Sequence, residues 1–161
     1  MPDISLRVFR SGLRALERQV ELALAEQTDC CGVTPAQCHL LLAVEEQGEA
    51  SVGELAAELE LDASTLSRAV DGLVRAGFLS RREDPGNRRR QLVRLSPDGK
   101  EKADYINARC DEYYAGILAR LSAREAGILQ KAVPLFANAM RDFRLAGDGA
   151  ACCRGAGRVS K

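Results

Sequence analysis

Residues 51–99 read SVGELAAELELDASTLSRAVDGLVRAGFLSRREDPGNRRRQLVRLSPDG, and helix start signals divide them into short elements. Ser51 and Glu54 form a capping box, in which hydroxyl and carboxylate satisfy each other's free backbone amides, so a short helix should begin there. Asp62 can cap a second helix over Ala63–Ala76, which ends before a glycine. Two short helices joined by a tight turn predict a helix-turn-helix.

After this second helix the hydrophobic period changes from helical to alternating. Residues 78–83 and 90–95 are strand-like, and Asp84-Pro85-Gly86-Asn87 supplies the turn between them. The predicted tip of this β-hairpin carries three consecutive arginines: Arg88, Arg89 and Arg90. A helix-turn-helix followed directly by a basic hairpin predicts a winged helix-turn-helix.

The flanking segments are helical, which makes the fold mainly α with a small β-hairpin. The expected helices span about residues 4–27, 35–46, 52–60, 63–76, 97–121 and 123–143. We expect one domain over residues 1–145, with a DNA-reading part at about 35–95 and dimerisation helices at about 4–27, 97–121 and 123–143. Residues 146–161 are rich in Gly and Ala and are expected to form a flexible tail. Pro134, inside the last helix, predicts a kink there.

Charge is concentrated in the part of the chain that would read DNA. The formal net charge is zero, yet residues 64–94 hold eight arginines against three carboxylates. The rest of the chain is acidic to the same extent. Such a bipolar molecule can present a basic face to phosphates.

The second helix of the motif is amphipathic. Leu66, Val70 and Leu73 lie on the side expected to face the first helix. The opposite side carries the residues expected to contact DNA in a major groove: Ser64, Thr65, Ser67 and Arg68. Arg88 and Arg89, with Arg90 beside them, are expected to reach the neighbouring minor groove, and Asp84 to orient one of them by an ion pair. The competing interpretations are helix caps for the hydroxyls and plain exposed charge for the arginines.

The stretches Ser51–Ala56, Ser64–Arg68, Leu73–Leu79, Asp84–Arg89 and Val93–Gly99 resemble the multiple-antibiotic-resistance regulator (MarR) family. The motif-level resemblance covers about residues 34–102. It implies a triangular homodimer whose first and last two helices interlock, and two winged domains that grip a pseudo-palindromic operator on double-stranded DNA. It also implies an effector acting near the junction of the two parts, most often relieving repression.

Apolar residues on the last two helices support a dimer independently of the resemblance. These residues recur at helical spacing: Ala103, Ile106, Cys110, Tyr113, Ile117 and Leu121 on one helix, and Ile128, Leu129, Val133, Phe136, Met140 and Phe143 on the other. Together with the first helix they exceed what a lone winged domain can cover, which suggests a dimer interface.

The chain has six cysteines, and four of them form two adjacent pairs. Cys30 and Cys31 precede the second helix, and Cys38 follows about one turn into it, so three thiolates can converge. Three soft thiolates suit a soft three-coordinate ion, which predicts an arsenite or antimonite effector. Cys152 and Cys153 in the tail can add thiolates, and no cofactor is required for the fold.

Other interpretations of the cysteines stay open. Adding His39 to Cys38 and its neighbours would give a zinc site, although adjacent cysteines chelate one zinc poorly. A thiolate oxidised and then resolved by a second cysteine would make an oxidant or electrophile sensor. The cysteines can also be small apolar residues, as expected for Cys110, with an organic ligand as the effector.

Composition excludes several other classes of function. One histidine, no glycine-rich phosphate loop and no paired nucleophile and base argue against an enzyme. A protein-interaction module that does not use its wing is the more serious alternative. No apolar run could span a membrane and no signal peptide precedes the fold, so we expect a cytoplasmic protein.

Overall fold

The structure is a computed structural model that describes residues 5–26 and 32–147. For residues 25, 26, 88 and 89 it describes the backbone only. Within those ranges the helices and strands are, in chain order, α1 Leu6–Glu26, α2 Pro35–Gln47, β1 Glu49–Ser51, α3 Val52–Glu58, α4 Ala63–Arg75, β2 Leu79–Asp84, β3 Asn87–Leu95, α5 Pro97–Leu118 and α6 Ala123–Leu145. The predicted mainly helical fold with a basic hairpin is confirmed.

The chain divides into two compact units, Met1–Cys110 and Asp111–Lys161. The first unit holds the helix-turn-helix and the sheet, and the second holds α6. The expectation of one domain over residues 1–145 stays a prediction. Most of the expected tail, residues 148–161, lies outside the described residues.

Local start signals placed the helices correctly. Thr34 Oγ1 accepts a hydrogen bond from Gln37 N at 3.3 Å while the Gln37 side chain accepts one from Thr34 N, which completes the box that begins α2. Ser51 and Glu54 do the same for α3. A cap depends only on side chains three residues apart, so sequence alone predicts it well.

The sheet contains a strand that the sequence pattern did not predict. β1 pairs antiparallel with β3, with Ala50 opposite Val93, and β3 pairs antiparallel with β2 in the order β1-β3-β2. Ala50 and Val93 are both buried, so the short strand closes one side of the core. Three residues are too few to show the alternating apolar and polar pattern that predicts a strand. β1 forms because the free edge of β3 offers it hydrogen-bonding partners.

The core of the first unit lies between the helix-turn-helix, α2, α5 and the sheet. Its fully buried side chains are Leu40, Leu41, Val44, Leu55, Leu66, Val70, Leu73, Val93 and Ile106. Leu61, in the turn between the two short helices, is 37% exposed. The residue before it, Glu60, has a φ of 53°, and the chain there directs Leu61 toward the surface.

The start of α5 is fixed closely to the end of α4. Ser96 Oγ donates a hydrogen bond to Gly77 O at 2.5 Å, and Ser96 N donates to Phe78 O at 3.0 Å. Gly99 is buried against the same backbone, because a Cβ there would lie 2.8 Å from the Phe78 carbonyl carbon. Only glycine allows this approach.

A carboxylate ties α5 to α2 further along. Glu45 Oε1 lies 2.7 Å from Lys100 Nζ, and Glu45 Oε2 accepts a hydrogen bond from Asn107 Nδ2 at 2.7 Å. Asp104 and Glu45, in that order, raise the pKa of Lys100 above its ordinary value. α2 packs against α4, so this contact connects the long helix to the DNA-reading part.

Helices α1 and α6 leave large apolar side chains exposed. On α1 these include Leu16 at 58% and Val20 at 48% exposure, and α6 has no buried residue at all, with Val133 at 59%. α6 continues through Pro134 from Ala123 to Leu145. Among the described helices none is long and apolar enough to cross a membrane.

Candidate nucleic-acid interface

Helix α4 has the two-sided character of a recognition helix. Leu66, Val70 and Leu73 are fully buried on one side. Ser64 and Arg68 are exposed on the other, and Thr65 and Ser67 are half-buried beside them. The structure therefore places the four residues predicted for the major groove together on the first turns of one helix; their contact with DNA stays a prediction.

The first turn of α4 is organised by its cap. Asp62 Oδ1 accepts hydrogen bonds from Thr65 N at 2.8 Å and from Ser64 Oγ at 2.6 Å. These bonds hold the pKa of the Asp62 carboxyl well below its usual range. Arg68 Nε donates to Ser64 O at 3.3 Å, so the guanidinium lies along the exposed surface of the turn. The Ser64 hydroxyl thus has a capping-type partner and keeps free acceptor lone pairs for a ligand.

Ion pairs attach the base of the wing to its surroundings. Arg81 Nη1 on β2 lies 2.7 Å from Asp71 Oδ1 on α4. Arg82 on β2 reaches Glu49 on β1 with two hydrogen bonds of 2.6 and 2.5 Å. The Arg82 contact, through hydrogen bonds first, lowers the pKa of Glu49 and raises that of Arg82. These arginines support the wing, and their charge is already balanced.

Arg90 is also paired, although we expected it at the DNA. Its Nη2 lies 2.5 Å from Glu54 Oε1 on α3, and its Nε lies 3.7 Å from Asp84 Oδ2 in the wing. The hydrogen bond from Arg90, followed by those from Ser51, lowers the pKa of Glu54 to about 2. Asp84 therefore faces Arg90, and the expectation that it orients Arg88 or Arg89 stays a prediction.

Arg88 and Arg89 belong to β3, directly after the turn, rather than to the turn itself. Their side chains lie outside the described residues, so their minor-groove role stays a prediction. Glu49 and Glu54 precede the arginine-rich residues 64–94, and no local pattern predicts that these two carboxylates pair with wing arginines. The capping box at Glu54 was visible in the sequence, but its second partner was not.

An open cleft separates α4 from the wing. It has a volume of about 580 Å³ and is lined by Ser51, Val52, Gly53, Ala63, Ser67, Arg81, Asn87, Arg90 and Gln91. The recognition helix forms one wall, and β2 and β3 form the other.

The predicted metalloid site lies largely outside the described residues. Cys30, Cys31, Cys152 and Cys153 all fall there. Cys38 is in the first turn of α2, partly buried, and packs against the core. Over residues 5–26 and 32–147, no group of three or more His, Cys, Asp or Glu side chains is arranged to hold a metal ion.

A helix-turn-helix followed by a three-stranded antiparallel wing defines a winged helix-turn-helix protein. The sequence model of the MarR family matches residues 32–90, which cover α2 through the start of β3. Over this part the chain resembles the MarR family. The relatives that it resembles are HTH-type transcriptional regulators.

Two relatives come from Bacillus subtilis (strain 168). The uncharacterized HTH-type transcriptional regulator YdgJ is 28% identical over 100 residues, which cover 62% of this chain and 61% of that protein, less than two thirds of its length. The HTH-type transcriptional repressor MdtR is 27% identical over 125 residues, which cover 78% of this chain and 77% of that protein.

A solved structure shows the same fold at low identity. Streptococcus pneumoniae FabT, crystallised in complex with DNA, superposes with a TM-score of 0.73 at 13% identity. The superposition covers 86% of this chain and 99% of that one. At this identity the likeness establishes the fold alone.

Proposed function

We propose that this protein is a transcriptional repressor that binds a pseudo-palindromic operator as a homodimer. The observation that carries the proposal is the two-sided α4, fully buried at Leu66, Val70 and Leu73 and polar at Ser64 and Arg68. MdtR, the relative named a repressor, and FabT, crystallised with DNA, support the same function. A repressor of this kind acts on the chromosome, which places it in the cytoplasm.

The DNA-binding part is tested by fluorescence anisotropy on duplex DNA from upstream of its own gene. Arg68→Ala should weaken binding about tenfold or more and relax sequence preference, since a base-contacting arginine contributes roughly 1–3 kcal/mol. Arg124→Ala is the matched control, because it removes one exposed guanidinium from α6 in the other unit. Equal affinity of the two variants would contradict a reading role for Arg68.

The homodimer is supported by the exposed apolar side chains of α1 and α6. Val133 is 59% exposed in the single chain, and most of its apolar neighbours on the helix are exposed as well. Val133→Asp should shift sedimentation toward monomer, whereas Lys131→Ala on the same helix should not. A two-fold protein reads half-sites about one helical turn of DNA apart.

We propose further that arsenite or antimonite, bound by Cys30, Cys31 and Cys38 with help from Cys152 and Cys153, releases the operator. Cys38 supports this coupling because it packs against the core that also contains Leu66 of α4. Soft three-coordinate ions favour thiolates, and zinc is the second choice. An effector that braces the start of α2 can bias the position of the reading part only if it binds one position better than the other.

The effector is tested by a gel shift with fully reduced protein, with and without arsenite, in the continued presence of reductant. Release by arsenite that is lost in Cys30→Ser/Cys31→Ser but kept in Cys110→Ser supports the metalloid. A complex unaffected by arsenite but released by peroxide, added after the reductant has been removed, would favour an oxidant sensor instead. A complex resistant to both would leave an organic ligand as the effector.

A further inference from the structure

Glu54 uses both of its carboxylate oxygens, and each serves a different element. Oε2 accepts hydrogen bonds from Ser51 N at 2.8 Å and from Ser51 Oγ at 2.9 Å, which begins α3. Oε1 lies 2.5 Å from Arg90 Nη2 on β3. One side chain therefore connects the start of the helix-turn-helix to the wing.

Arg90 is approached from a second side by the wing turn. Its Nε lies 3.7 Å from Asp84 Oδ2, and Asp84 Oδ1 accepts a hydrogen bond from Gly86 N at 2.8 Å. Two carboxylates thus face one guanidinium. This surrounding is unfavourable for a phosphate, because a third anion would have to displace Glu54 or be repelled by it.

Arg90 lies next to the wing arginines and faces the recognition helix. Arg90 follows Arg88 and Arg89 directly in β3, and it lines the wall of the cleft that faces Ser67 of α4. A strand held at this point keeps the arginines before it at a fixed distance from the recognition helix. A wing that is already positioned loses less conformational freedom when DNA binds.

We propose that Glu54 is a positioning residue of the DNA interface, which fixes the wing through Arg90, and that Arg90 itself does not contact a phosphate. The proposal rests on the DNA-binding function proposed above and replaces the role that the sequence suggested for Arg90. Arg90 then contributes to specific binding through wing position, and the charge that meets DNA comes from elsewhere.

The test compares Glu54→Gln, Arg90→Gln and the double variant by anisotropy, over a series of salt concentrations. The probes are a duplex from upstream of the protein's own gene and a scrambled duplex of the same length. Gln also completes a capping box, so Glu54→Gln keeps the start of α3. Glu58→Gln is the matched control, because it removes one exposed carboxylate from the same helix.

Each single variant should bind the upstream duplex about three- to tenfold more weakly than the control, the cost of ordering a loosened wing. The double variant should be no weaker than the weaker single one. Affinity for the scrambled duplex and the slope of log K against log salt should stay unchanged, because the number of phosphates contacted is the same. A variant that merely misfolds would instead lose both duplexes equally.

The opposite pattern overturns the proposal. If Arg90 contacts a phosphate, Arg90→Gln reduces the salt slope by about 0.9, and Glu54→Gln binds more tightly than the control. The proposal is also overturned if the double variant loses as much binding free energy as the two single variants together. If the wild-type protein binds neither duplex, the proposed function fails, and thermal unfolding of the same variants still decides the linkage. Non-additive shifts in Tm support the Glu54–Arg90 connection, and additive shifts overturn it.

Discussion

Replacing Gly99 by alanine should destabilise the protein sharply, even though the change adds one methyl group to a helix. The added Cβ would lie 2.8 Å from the Phe78 carbonyl carbon and 3.2 Å from its Cα, and would overlap the carbonyl oxygen. Ordinary contact begins at 3.4 Å, so the backbone must separate by at least about 0.6 Å. The clash is with backbone, which cannot rotate away as a side chain can.

The loss of stability can be worked out from the hydrogen bonds that hold this backbone in place. Phe78 O accepts from Ser96 N at 3.0 Å, and Gly77 O accepts from Ser96 Oγ at 2.5 Å. Weakening both bonds costs about 0.5–1.5 kcal/mol each, and overpacking adds about 1–3 kcal/mol. Alanine returns up to about 1 kcal/mol of helix propensity. The net loss in the free energy of unfolding should be about 2–4 kcal/mol.

Urea unfolding followed by circular dichroism measures this loss. With a slope of about 1–3 kcal/mol per molar urea, the midpoint should fall by roughly 1–2 M. Gly116→Ala in the same helix is the control, because a Cβ there meets no atom within 4 Å. That variant should gain about 0.5–1 kcal/mol from helix propensity. A Gly99→Ala protein as stable as wild type would refute the close approach of α5 to Phe78.

Three further perturbations have expected signs. Glu60→Gly should stabilise the chain by up to about 1 kcal/mol in thermal unfolding, because Glu60 has a φ of 53°, in the left-handed region that disfavours side chains. A loss of stability would show that contacts of the Glu60 side chain outweigh the strain of its backbone. The pKa of Glu54 is lowered from 4.5 to about 2, so its contribution to stability is complete above pH 4.5 and is lost as the pH falls toward 2. The acid dependence of Tm should be shallower in Glu54→Gln than in the wild-type protein, and equal slopes would contradict this. Ser122→Ala removes the cap of α6 and should cost about 1 kcal/mol, whereas Ser122→Asp should retain it; the helical circular dichroism signal near the unfolding transition distinguishes the two.

Sequence reasoning succeeded where structure depends on neighbours a few residues apart. The starts of α2, α3 and α4 were predicted because each cap joins residues about three apart. It failed where the contact is remote. Arg82 meets Glu49 across 33 positions, and β1 exists only because β3 lies beside it. A local pattern contains no information about such partners.

The same distinction separates the two halves of the candidate site. The residues on α4 were identified because helical periodicity decides which side chains face outward. The wing arginines look alike in sequence, yet Arg81, Arg82 and Arg90 each have a carboxylate partner in the folded chain. Composition could count these charges, but only the fold could show that they are already balanced.

This balance affects how the protein should discriminate among DNA sites. Non-specific binding depends on cations that release counterions from phosphates, and arginines paired with carboxylates release few. Arg81, Arg82 and Arg90, which hold the wing, therefore add little affinity for any sequence, but they place the remaining contacts accurately for one. Specificity is the ratio of these affinities, so internal ion pairs can raise it without adding a contact to DNA. A net charge of zero is then consistent with the proposed function, in which the protein must find few sites among many.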